Sequence, residues 1–339
     1  MRTKYVVSMK DIARDIGVSI TTISRVLHNK GEIGQATREK VLKSAESLGY
    51  RSNLLVDGMR TGRTKTIGVM IPCDEGFFTE IIKGIHNSLI QKDYVPILLW
   101  PDHTGKSERE QIHRLIEQRV EGIIIRPIED EAQKDYFMEI FDRGIPVVTV
   151  DRNLPYVEFN FVASDDYTGS SLATEHLISL GHKNIAHLKG PQFASPARIR
   201  KKGFEDTIAK YPGVVGTVSE NELFYYDLSK ASTFLEKNPQ ITAVFAANDL
   251  AAAAVCDAAG GLGLKIPDNL SVIGYGNLPL GQWKYPAIST VNQFPCEIGR
   301  SAVQLLFKQI EGKIEKKAVE TILTKAELII RQSTAKTHK

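Results

Sequence analysis

The stretch from Ser8 to Asn29, SMKDIARDIGVSITTISRVLHN, predicts two short helices joined by a tight turn. Ser8 stands three residues before Asp11, a spacing that lets the two residues cap the start of a helix. Gly17 can end that helix, because glycine adopts the left-handed turn conformation without the strain that a Cβ atom brings. The stretch is therefore typical of a helix-turn-helix.

The second helix of this stretch predicts a DNA-reading surface. Ser19 can cap it, and Ile23 and Val26 share one apolar face, which leaves mostly short polar side chains on the other face. Arg25 can donate two hydrogen bonds to guanine O6 and N7 in a major groove. We expect base contacts from Ile20, Thr21 and Arg25, and phosphate contacts from Ser8, Ser19, Thr22, Ser24 and Asn29.

Two ordinary surface helices with serine caps are the alternative interpretation. Ala13, Gly17, Ile23 and Val26 all fit the spacing with which helix-turn-helix segments pack, and this favours DNA binding. Charge favours it too, since residues 1–65 carry 13 Lys and Arg against 6 Asp and Glu, whereas the rest of the chain carries 30 against 34. A basic head on a mildly acidic body is expected where only the head meets phosphates.

The length of 339 residues suggests two or three domains. The cysteines Cys73, Cys256 and Cys296 are odd in number and widely spaced, so the sequence indicates neither a disulfide framework nor a cysteine metal site, and a reducing cytoplasm is expected. No signal peptide precedes the first helix, and Asp257 interrupts the alanine-rich run around it. We therefore expect neither export nor a membrane span.

Motifs of catalysis and metal binding are missing from the sequence. It contains no G-x-S-x-G elbow, no Walker glycine-lysine loop, no C-x-x-C and no H-E-x-x-H. His176, His182 and His187 do not follow a metal-ligand spacing. An enzyme, a cofactor and a bound metal are therefore not expected.

From Thr66 onward, short β-branched runs alternate with amphipathic helices, which predicts parallel sheets with helical crossovers. Strands are predicted at TIGVMIP, VPILLW, GIIIRP, IPVVTVD and FVAS, then at NIAHLKG, ELFYY, AVFAAND and LSVIGY, with later helices starting near Gly169, Arg198, Ser229 and Asp249. Two doubly wound lobes follow from this alternation. Ligands of such sheets bind at the carboxyl ends of the strands, so the cleft between the lobes is the expected site.

Several motifs resemble the LacI/GalR family of transcriptional regulators. They are KDIARDIGVSITTISRVLHN and TREKVLKSAESLGY in the head, and GHKNIAHLKGP, the R-x-R-x-x-GF run from Arg198 to Phe204 and AANDLAAAA in the body. The resemblance implies a small all-α helix-turn-helix headpiece and an α/β two-lobed domain like type I periplasmic binding proteins. The implied limits are a headpiece at 1–50, a hinge at 51–63 and an effector-binding and dimerisation domain at 64–339, with lobes at about 64–164 plus 292–322 and about 165–291 plus 323–339.

By this resemblance the hinge segment lies in the minor groove at the centre of the DNA site. Asn53, Val56 and Met59 are expected to contact that groove, with Met59 wedged between base steps. The segment departs from the family pattern, because Ser52 replaces the usual proline and Asp57 is an unusual neighbour for phosphates. These departures leave the strength of the hinge contact open.

Candidate effector contacts stand mainly where predicted strands end. They are Phe77, Phe78, Asp151, Arg200, Leu228, Asn248 and Asn277. The resemblance assigns effector binding to Arg200 and places Leu228 where relatives often carry an aromatic side chain over the ligand. A charge that faces a cleft needs a partner, which a polar effector supplies to Arg200 and Asp151. Phe78 also fits the apolar stripe of its helix, and Asp249 also fits a helix N-cap.

Gly276, in VIGYGNLP, stands where many relatives carry an aspartate that binds the effector. Loss of that carboxylate leaves the pocket more positive near Arg200 and predicts an anionic effector, such as a sugar acid or a sugar phosphate. In the alternative, Asn277 replaces the aspartate and a neutral sugar binds. The sequence leaves both possibilities open.

The sequence thus predicts a transcriptional regulator, most simply a repressor, whose affinity for a pseudo-palindromic operator responds to a small effector. By resemblance, that effector is a sugar or sugar derivative. Reading two half-sites requires two helix-turn-helix units, which predicts a homodimer, and the terminal run RQSTAKTHK lacks the leucine heptads of a tetramer. The alternatives are control by a protein corepressor, or a solute-binding protein with no role on DNA.

Overall fold

The computed structural model describes residues 7–28, 30–51, 63–72, 76–100, 105–128, 134–154, 156–313 and 318–337. The chain divides into two compact units, Met1–Thr64 and Lys65–Lys339. The residues singled out from the sequence that lie outside the described residues are Asn29, Ser52, Asn53, Val56, Asp57, Met59 and Cys73.

The described residues of the first unit form three helices. They are α1 (Met9–Ile16), α2 (Ile20–Leu27) and α3 (Gln35–Ser47). Ile12 of α1, Ile23 of α2 and Val41 of α3 are completely buried against one another, with Val26 and Ala45 beside them. Burying each such aliphatic side chain contributes about 1.5–3 kcal/mol, so these few residues hold the three helices together. The predicted helix pair is confirmed, and α3 completes its core.

Local hydrogen bonds fix the ends of α1 and α2. The Asp11 carboxylate accepts hydrogen bonds from the Ser8 backbone N–H at 2.9 Å and from the Ser8 hydroxyl at 2.7 Å. Gly17 ends α1 with φ at +68°. The Ser19 hydroxyl oxygen accepts a hydrogen bond from the Thr22 backbone N–H at 3.1 Å, which caps α2. The caps predicted from the sequence are confirmed.

The second unit alternates strands and helices. Its helices are α4 (Gly76–Ile90), α5 (Gly105–Glu117), α6 (Lys134–Asp142), α7 (Asp166–Ser179), α8 (Ser195–Ile208), α9 (Leu228–Lys237), α10 (Asp249–Gly261), α11 (Pro279–Trp283) and α12 (Pro295–Ile310). Its strands are β1 (Thr66–Met70), β2 (Val95–Leu99), β3 (Ile123–Ile125), β4 (Val147–Val150), β5 (Asn160–Ser164), β6 (Asn184–Leu188), β7 (Val215–Val218), β8 (Ala243–Ala246), β9 (Ser271–Tyr275), β10 (Ser289–Asn292), β11 (Thr321–Thr324) and β12 (Glu327–Ile329).

The strands form two six-stranded sheets, ordered β11-β5-β4-β3-β1-β2 and β12-β10-β9-β8-β6-β7. The paired strands run parallel, except that β12 is antiparallel to β10. The chain passes between the sheets at residues 164–166, 292–295 and 324–327. The predicted doubly wound α/β architecture is confirmed, and the lobe limits given from the sequence stay a prediction.

Helix α12 returns to the first sheet and packs against α4 through two glycines. A Cβ atom on Gly299 would lie 2.2 Å from the carbonyl oxygen of Ile81, and one on Gly84 would lie 2.3 Å from that of Cys296. Only glycine allows the two backbones to approach so closely. The first lobe is thereby built from two distant stretches of the chain.

The predicted strand ELFYY is wrong. Residues 222–226 form a loop, and β7 takes the edge position of the second sheet instead. Because β7 is an edge strand with exposed positions, it lacks the apolar run that marks a buried strand. The Asn248 side chain donates a hydrogen bond to the Phe224 carbonyl at 2.7 Å, which holds the loop near the end of β8.

The three histidines considered above have structural roles. The Nδ1 atom of His187 lies 3.0 Å from the Phe245 carbonyl oxygen, and burial lowers the pKa of His187 to about 4. His182 lies within hydrogen-bond distance of the Thr242 hydroxyl, and His176 of the Thr334 hydroxyl. Within the described ranges, no group of three His, Cys, Asp or Glu side chains could hold a metal ion.

Two further findings bear on the expectations from composition. Cys256 and Cys296 are free thiols. No helix in the described part of the chain has both the length and the apolar content that crossing a membrane requires.

Candidate functional site

One face of α2 carries the side chains predicted to read DNA bases. Ile20, Thr21 and Arg25 are exposed, whereas Ile23 and Val26 on the same helix are buried. A large aliphatic side chain, a hydroxyl and a guanidinium therefore lie together on a surface that the core leaves free. The contacts of these three residues with DNA stay a prediction.

The hydroxyl groups of the predicted phosphate contacts differ in whether they already form hydrogen bonds within the protein. The Ser8 hydroxyl donates to Asp11, and the hydroxyls of Ser19 and Thr22 lie 2.9 Å apart. Ser24 is half-buried. A phosphate at the start of α2 would meet the Ser19 and Thr22 pair and the unpaired N–H groups that every helix start presents.

Arg25→Ala should weaken operator binding by roughly 1–3 kcal/mol and relax sequence preference at one base pair per half-site, because a bidentate guanine contact is lost. Fluorescence anisotropy with operator and with random DNA measures both effects. Arg14→Ala is the matched control, since Arg14 is an exposed arginine of α1 that lies 3.6 Å from Asp11. Equal losses of Arg25→Ala on operator and on random DNA would refute the base-reading role.

A cavity of about 210 Å³ lies between the two lobes, at the carboxyl ends of their strands. Five of the seven predicted effector contacts line it: Phe77, Phe78, Asp151, Arg200 and Asn248. Aromatic side chains make up much of the remaining wall, with Phe193, Phe224, Tyr225 and Tyr275 contributed by the second lobe. An apolar cleft with a few convergent polar groups is typical of a small-molecule site.

Two predicted contacts, Leu228 and Asn277, do not line this cavity, and their contact with an effector stays a prediction. The Asn277 side-chain oxygen accepts a hydrogen bond from Arg331 at 2.6 Å, and Asn277 does not line the cavity. Leu228 is the first residue of α9 and is also absent from the cavity wall. The loop at residues 222–226 instead supplies Phe224 and Tyr225 to the cavity wall, a few residues before Leu228.

The Arg200 side chain donates three hydrogen bonds at the cavity wall. Its Nε donates to Asp166 at 3.0 Å, Nη1 to the Ala247 carbonyl at 2.8 Å and Nη2 to Gln293 at 2.9 Å. The guanidinium also lies over the Tyr275 ring, 3.9 Å from its centroid. Burial lowers the pKa of Arg200, but the attraction of Asp166 more than offsets this, so the pKa is raised overall.

A second ion pair lies on the first-lobe side. Arg126 Nε lies 3.3 Å from an Asp151 carboxylate oxygen, and both side chains are nearly buried. Arg126 also packs on the Phe78 ring, with 4.8 Å between its guanidinium carbon and the ring centroid. Phe78 therefore belongs both to the core and to the cavity wall. Asp151 adopts φ of +65°, an uncommon conformation for a residue other than glycine.

Asn248, rather than Asp249, caps helix α10. The Asn248 side-chain oxygen accepts from the Ala251 N–H at 2.8 Å. Asp249 is the first residue of the helix, and its buried carboxylate accepts from the Leu278 N–H and the Thr290 hydroxyl, both at 2.6 Å. The alternative that Asp249 is the cap is thus wrong, and Asn248 combines capping with a place in the cavity wall.

Sequence reasoning missed Arg126, Arg152 and Gln293, which also line the cavity. Arg126 directly follows β3, and Arg152 follows Asp151 at the end of β4. The rule that selected Asp151 would have selected both arginines. Gln293 follows β10, a strand that the sequence did not predict.

Comparisons with known proteins agree for both units. A family model described as "Bacterial regulatory proteins, lacI family" matches residues 8–53, and one described as "Periplasmic binding protein-like domain" matches residues 174–334. The chain is 32% identical to a ribose operon repressor of Halalkalibacterium halodurans, with 90% of this chain and 91% of that protein covered.

Two further likenesses extend over nearly the whole chain. The HTH-type transcriptional regulator DegA of Bacillus subtilis is 32% identical, with 96% of this chain and 97% of that protein covered. A crystal structure of the lac repressor dimer bound to operator and the anti-inducer ONPF has a TM-score of 0.87 at 24% identity and covers 98% of this chain and 100% of its own. The latter shows a shared fold.

Proposed function

Because the chain belongs to the LacI family of bacterial regulatory proteins, we propose that it represses transcription and that a small polar effector in the cleft sets its operator affinity. Family membership makes it a DNA-binding transcriptional regulator with a periplasmic-binding-protein-like domain. Its named relatives are regulators rather than enzymes, so we propose a role without catalysis. A regulator that meets chromosomal DNA acts in the cytoplasm.

The observation that carries the effector proposal is the composition of the inter-lobe cavity. Asp151, Asn248 and Gln293 offer polar groups, and Phe77 and Phe224 offer flat apolar faces. Hydroxyl groups need such donors and acceptors, while the carbon face of a sugar ring packs against aromatic rings. A relative named ribose operon repressor supports the same class. We therefore propose a sugar or a sugar derivative.

The test begins with an operator selected from random DNA by the purified full-length protein. Operator affinity is then measured by anisotropy while sugars, sugar acids, sugar phosphates and nucleobases are added in turn. We expect one sugar-class compound to change operator affinity and to bind the free protein in calorimetry. A response to nucleobases alone would overturn the sugar assignment, and no response to any compound would favour a protein corepressor.

We also propose a homodimer, which places two helix-turn-helix units on the two half-sites of a pseudo-palindromic operator. Each lobe exposes large apolar side chains that a partner copy would cover in a dimer. Trp283 and Tyr285 of the second lobe are 82% and 91% exposed. On the first lobe, Leu98 and Trp100 are exposed on and just after the edge strand β2.

Replacing both Trp283 and Tyr285 with serine should shift the protein from dimer to monomer, because the substitution removes apolar surface that a partner copy covers. Sedimentation velocity measures the shift, and operator affinity should fall with it. Val215→Ser is the matched control, since Val215 is 58% exposed on β7, the edge of the second sheet opposite to β12. Retention of a full dimer in the double variant would exclude this patch from the interface.

A further inference from the structure

A second cavity, of about 390 Å³, lies in the first lobe at the end of its sheet opposite to the inter-lobe cavity. Its wall is built from the segments that lead into three neighbouring strands, β4, β5 and β11, and from Gln309 in the last turn of α12. Residues of the inter-lobe cavity follow the strands instead, as Asp151 follows β4. Among the described residues, none lines both cavities. The second cavity is therefore separate from the proposed effector site.

Most of the wall of the second cavity is apolar. Val147 and Phe159 are 2% and 7% exposed and belong to the core of the first lobe. The other apolar residues of the wall are Phe141, Ile145, Pro146 and Ala318. A backbone hydrogen bond fixes the turn after α6, where the Gly144 N–H donates to the Phe141 carbonyl at 2.9 Å. Aromatic and aliphatic side chains around a concave surface favour a ligand with a flat or aliphatic carbon body.

The polar side chains of this wall present acceptor oxygens. The Gln309 side-chain oxygen is buried and accepts no hydrogen bond within the part of the chain that the structure describes. Asp142 and Glu158 are exposed, and neither carboxylate has an ion pair or a hydrogen bond among the described residues. A buried acceptor without a donor costs free energy until a water or a ligand supplies one. A ligand that donates hydrogen bonds is therefore favoured at this wall.

The charges around the second cavity narrow the class of ligand further. No basic side chain among the described residues lines it. Arg143 stands next to this wall in the sequence and pairs with Glu139 at 2.9 Å. Lys308 also stands next to it and pairs with Glu320 at 2.6 Å. The two unpaired carboxylates of the wall therefore favour a cation, because charge-assisted hydrogen bonds are stronger than neutral ones.

We propose that the second cavity binds a small organic cation, an amine or an amidine on an apolar body. The N–H groups of this ligand donate to the Gln309 side-chain oxygen, and its charge lies beside the carboxylates of Asp142 and Glu158. Its carbon body packs against Phe141 and Phe159. The proposal does not rest on the sugar effector, because it concerns a different cavity.

The test uses benzamidine, benzamide and benzoate as matched probes, because the same ring then carries a cation, a neutral group or an anion. Ligand-detected NMR titrations with the full-length protein measure the three affinities. Benzamidine should bind roughly 10-fold more tightly than benzamide, since it adds attraction to two exposed carboxylates and charge-assisted hydrogen bonds. Benzoate should bind most weakly. Added salt should reduce the difference between benzamidine and benzamide.

The double variant Asp142→Asn with Glu158→Gln should remove most of the preference for benzamidine over benzamide. Gln309→Met should weaken both probes several-fold, because both carry N–H groups that the Gln309 oxygen accepts. Glu110→Gln with Glu117→Gln is the matched control for net charge and should leave the preference unchanged, since both residues are exposed on α5. Thermal unfolding of each variant confirms that it is folded.

Two further variants identify where the probe binds. Phe224→Ala removes an aromatic side chain from the inter-lobe cavity and should leave benzamidine binding unchanged. Lys316 and Lys317 precede Ala318 in the sequence and are not among the described residues. The double variant Lys316→Gln with Lys317→Gln should bind benzamidine as the wild type does. Binding by this double variant alone would assign the second cavity to the chain's own lysines and overturn the proposal.

Three other results overturn the proposal. One is benzamidine that binds no more tightly than benzamide. Another is a loss of benzamidine binding in Phe224→Ala that equals or exceeds the loss in the double variant of Asp142 and Glu158, because the inter-lobe cavity would then be the site. The third is unchanged binding of both probes in Gln309→Met, which would mean that water alone donates to the buried oxygen.

Discussion

Replacing Arg200 with methionine should lower the free energy of unfolding by about 3–5 kcal/mol, because it leaves a buried carboxylate without its counter-charge. The Arg200 and Asp166 side chains are only 9% and 4% exposed and lie 3.0 Å apart. The Ala247 carbonyl and the Gln293 side chain lose a hydrogen-bond donor at the same time. Chemical unfolding followed by circular dichroism measures the loss.

The loss should grow as the pH rises. Burial raises the pKa of the Asp166 carboxyl, and the Arg200 guanidinium opposes that rise. Without Arg200 the folded-state pKa lies further above the unfolded value, so this group's contribution to stability is present below the unfolded pKa and is lost as pH rises through the folded pKa. We expect a larger deficit at about pH 8 than at about pH 5.

The double variant Arg200→Met with Asp166→Asn distinguishes the effect of the unpaired carboxylate from the effect of the other contacts that Arg200 makes. Removing both charges should restore most of the lost stability, because no uncompensated charge remains buried. Lys202→Met is the matched control on α8, since its ion pair with Asp206 is exposed and contributes little. A single Arg200→Met variant as stable as Lys202→Met would contradict the buried-pair account.

The first unit could be predicted closely because its signals are local. The hydrogen bonds between Ser8 and Asp11, and between Ser19 and Thr22, join residues three apart, and Gly17 ends its helix by its own backbone preference. The spacing of Ile23 and Val26 then fixes which face is buried. The sequence contains all of this within a single stretch.

The cavity could be predicted only in part, because its contacts join distant stretches. The ends of predicted strands placed Asp151 and Asn248 at the cavity, as the structure has them. No sequence pattern near Arg200, however, indicates that Asp166 on another helix balances its charge. The strand β10 that positions Gln293 reads STVN, too polar and too short to stand out. Whether a charge is available to a ligand therefore depends on packing that a local pattern does not contain.

The edge strand of the second sheet is a second feature that local sequence patterns did not predict. The run ELFYY has the composition of a strand, but its aromatic side chains serve the cavity wall. The real strand β7 contains Gly216, where a Cβ atom would lie 2.9 Å from the Ile208 side chain. Intrinsic strand propensity thus favours residues 222–226 over residues 215–218. Packing against α8 nevertheless decides which residues pair with β6.

Replacing Glu108 with glutamine should make the protein more stable than the wild type at neutral and alkaline pH but not in acid. Glu108 in α5 has no exposed surface, and its carboxyl accepts hydrogen bonds from the Ile128 N–H at 2.9 Å and from the Tyr136 hydroxyl. Burial raises the pKa of Glu108 to about 7, although both hydrogen bonds and the nearby arginines of the cavity oppose the rise. The folded state therefore holds a proton that the unfolded state releases.

The direction of this pH dependence follows from the linkage between proton binding and folding. A folded-state pKa above the unfolded value gives Glu108 a contribution to stability that is complete below about pH 4.3 and is lost as pH rises to about 7. At 1.36 kcal/mol for each pKa unit, the difference in unfolding free energy between Glu108→Gln and the wild type should increase by about 3 kcal/mol over that interval. Denaturant unfolding at a series of pH values measures this difference.

Glu139→Gln is the control for this prediction, because a hydrogen bond from Arg143 holds the pKa of the partly exposed Glu139 below its ordinary range. Its difference from the wild type should show no such increase between acid and neutral pH. Glutamine at position 108 can still accept a hydrogen bond from Ile128 and donate one to the Tyr136 oxygen, so the fold is retained while the titration is removed. If the difference in unfolding free energy between Glu108→Gln and the wild type did not change with pH over this range, Glu108 would ionise as readily in the folded protein as in the unfolded chain.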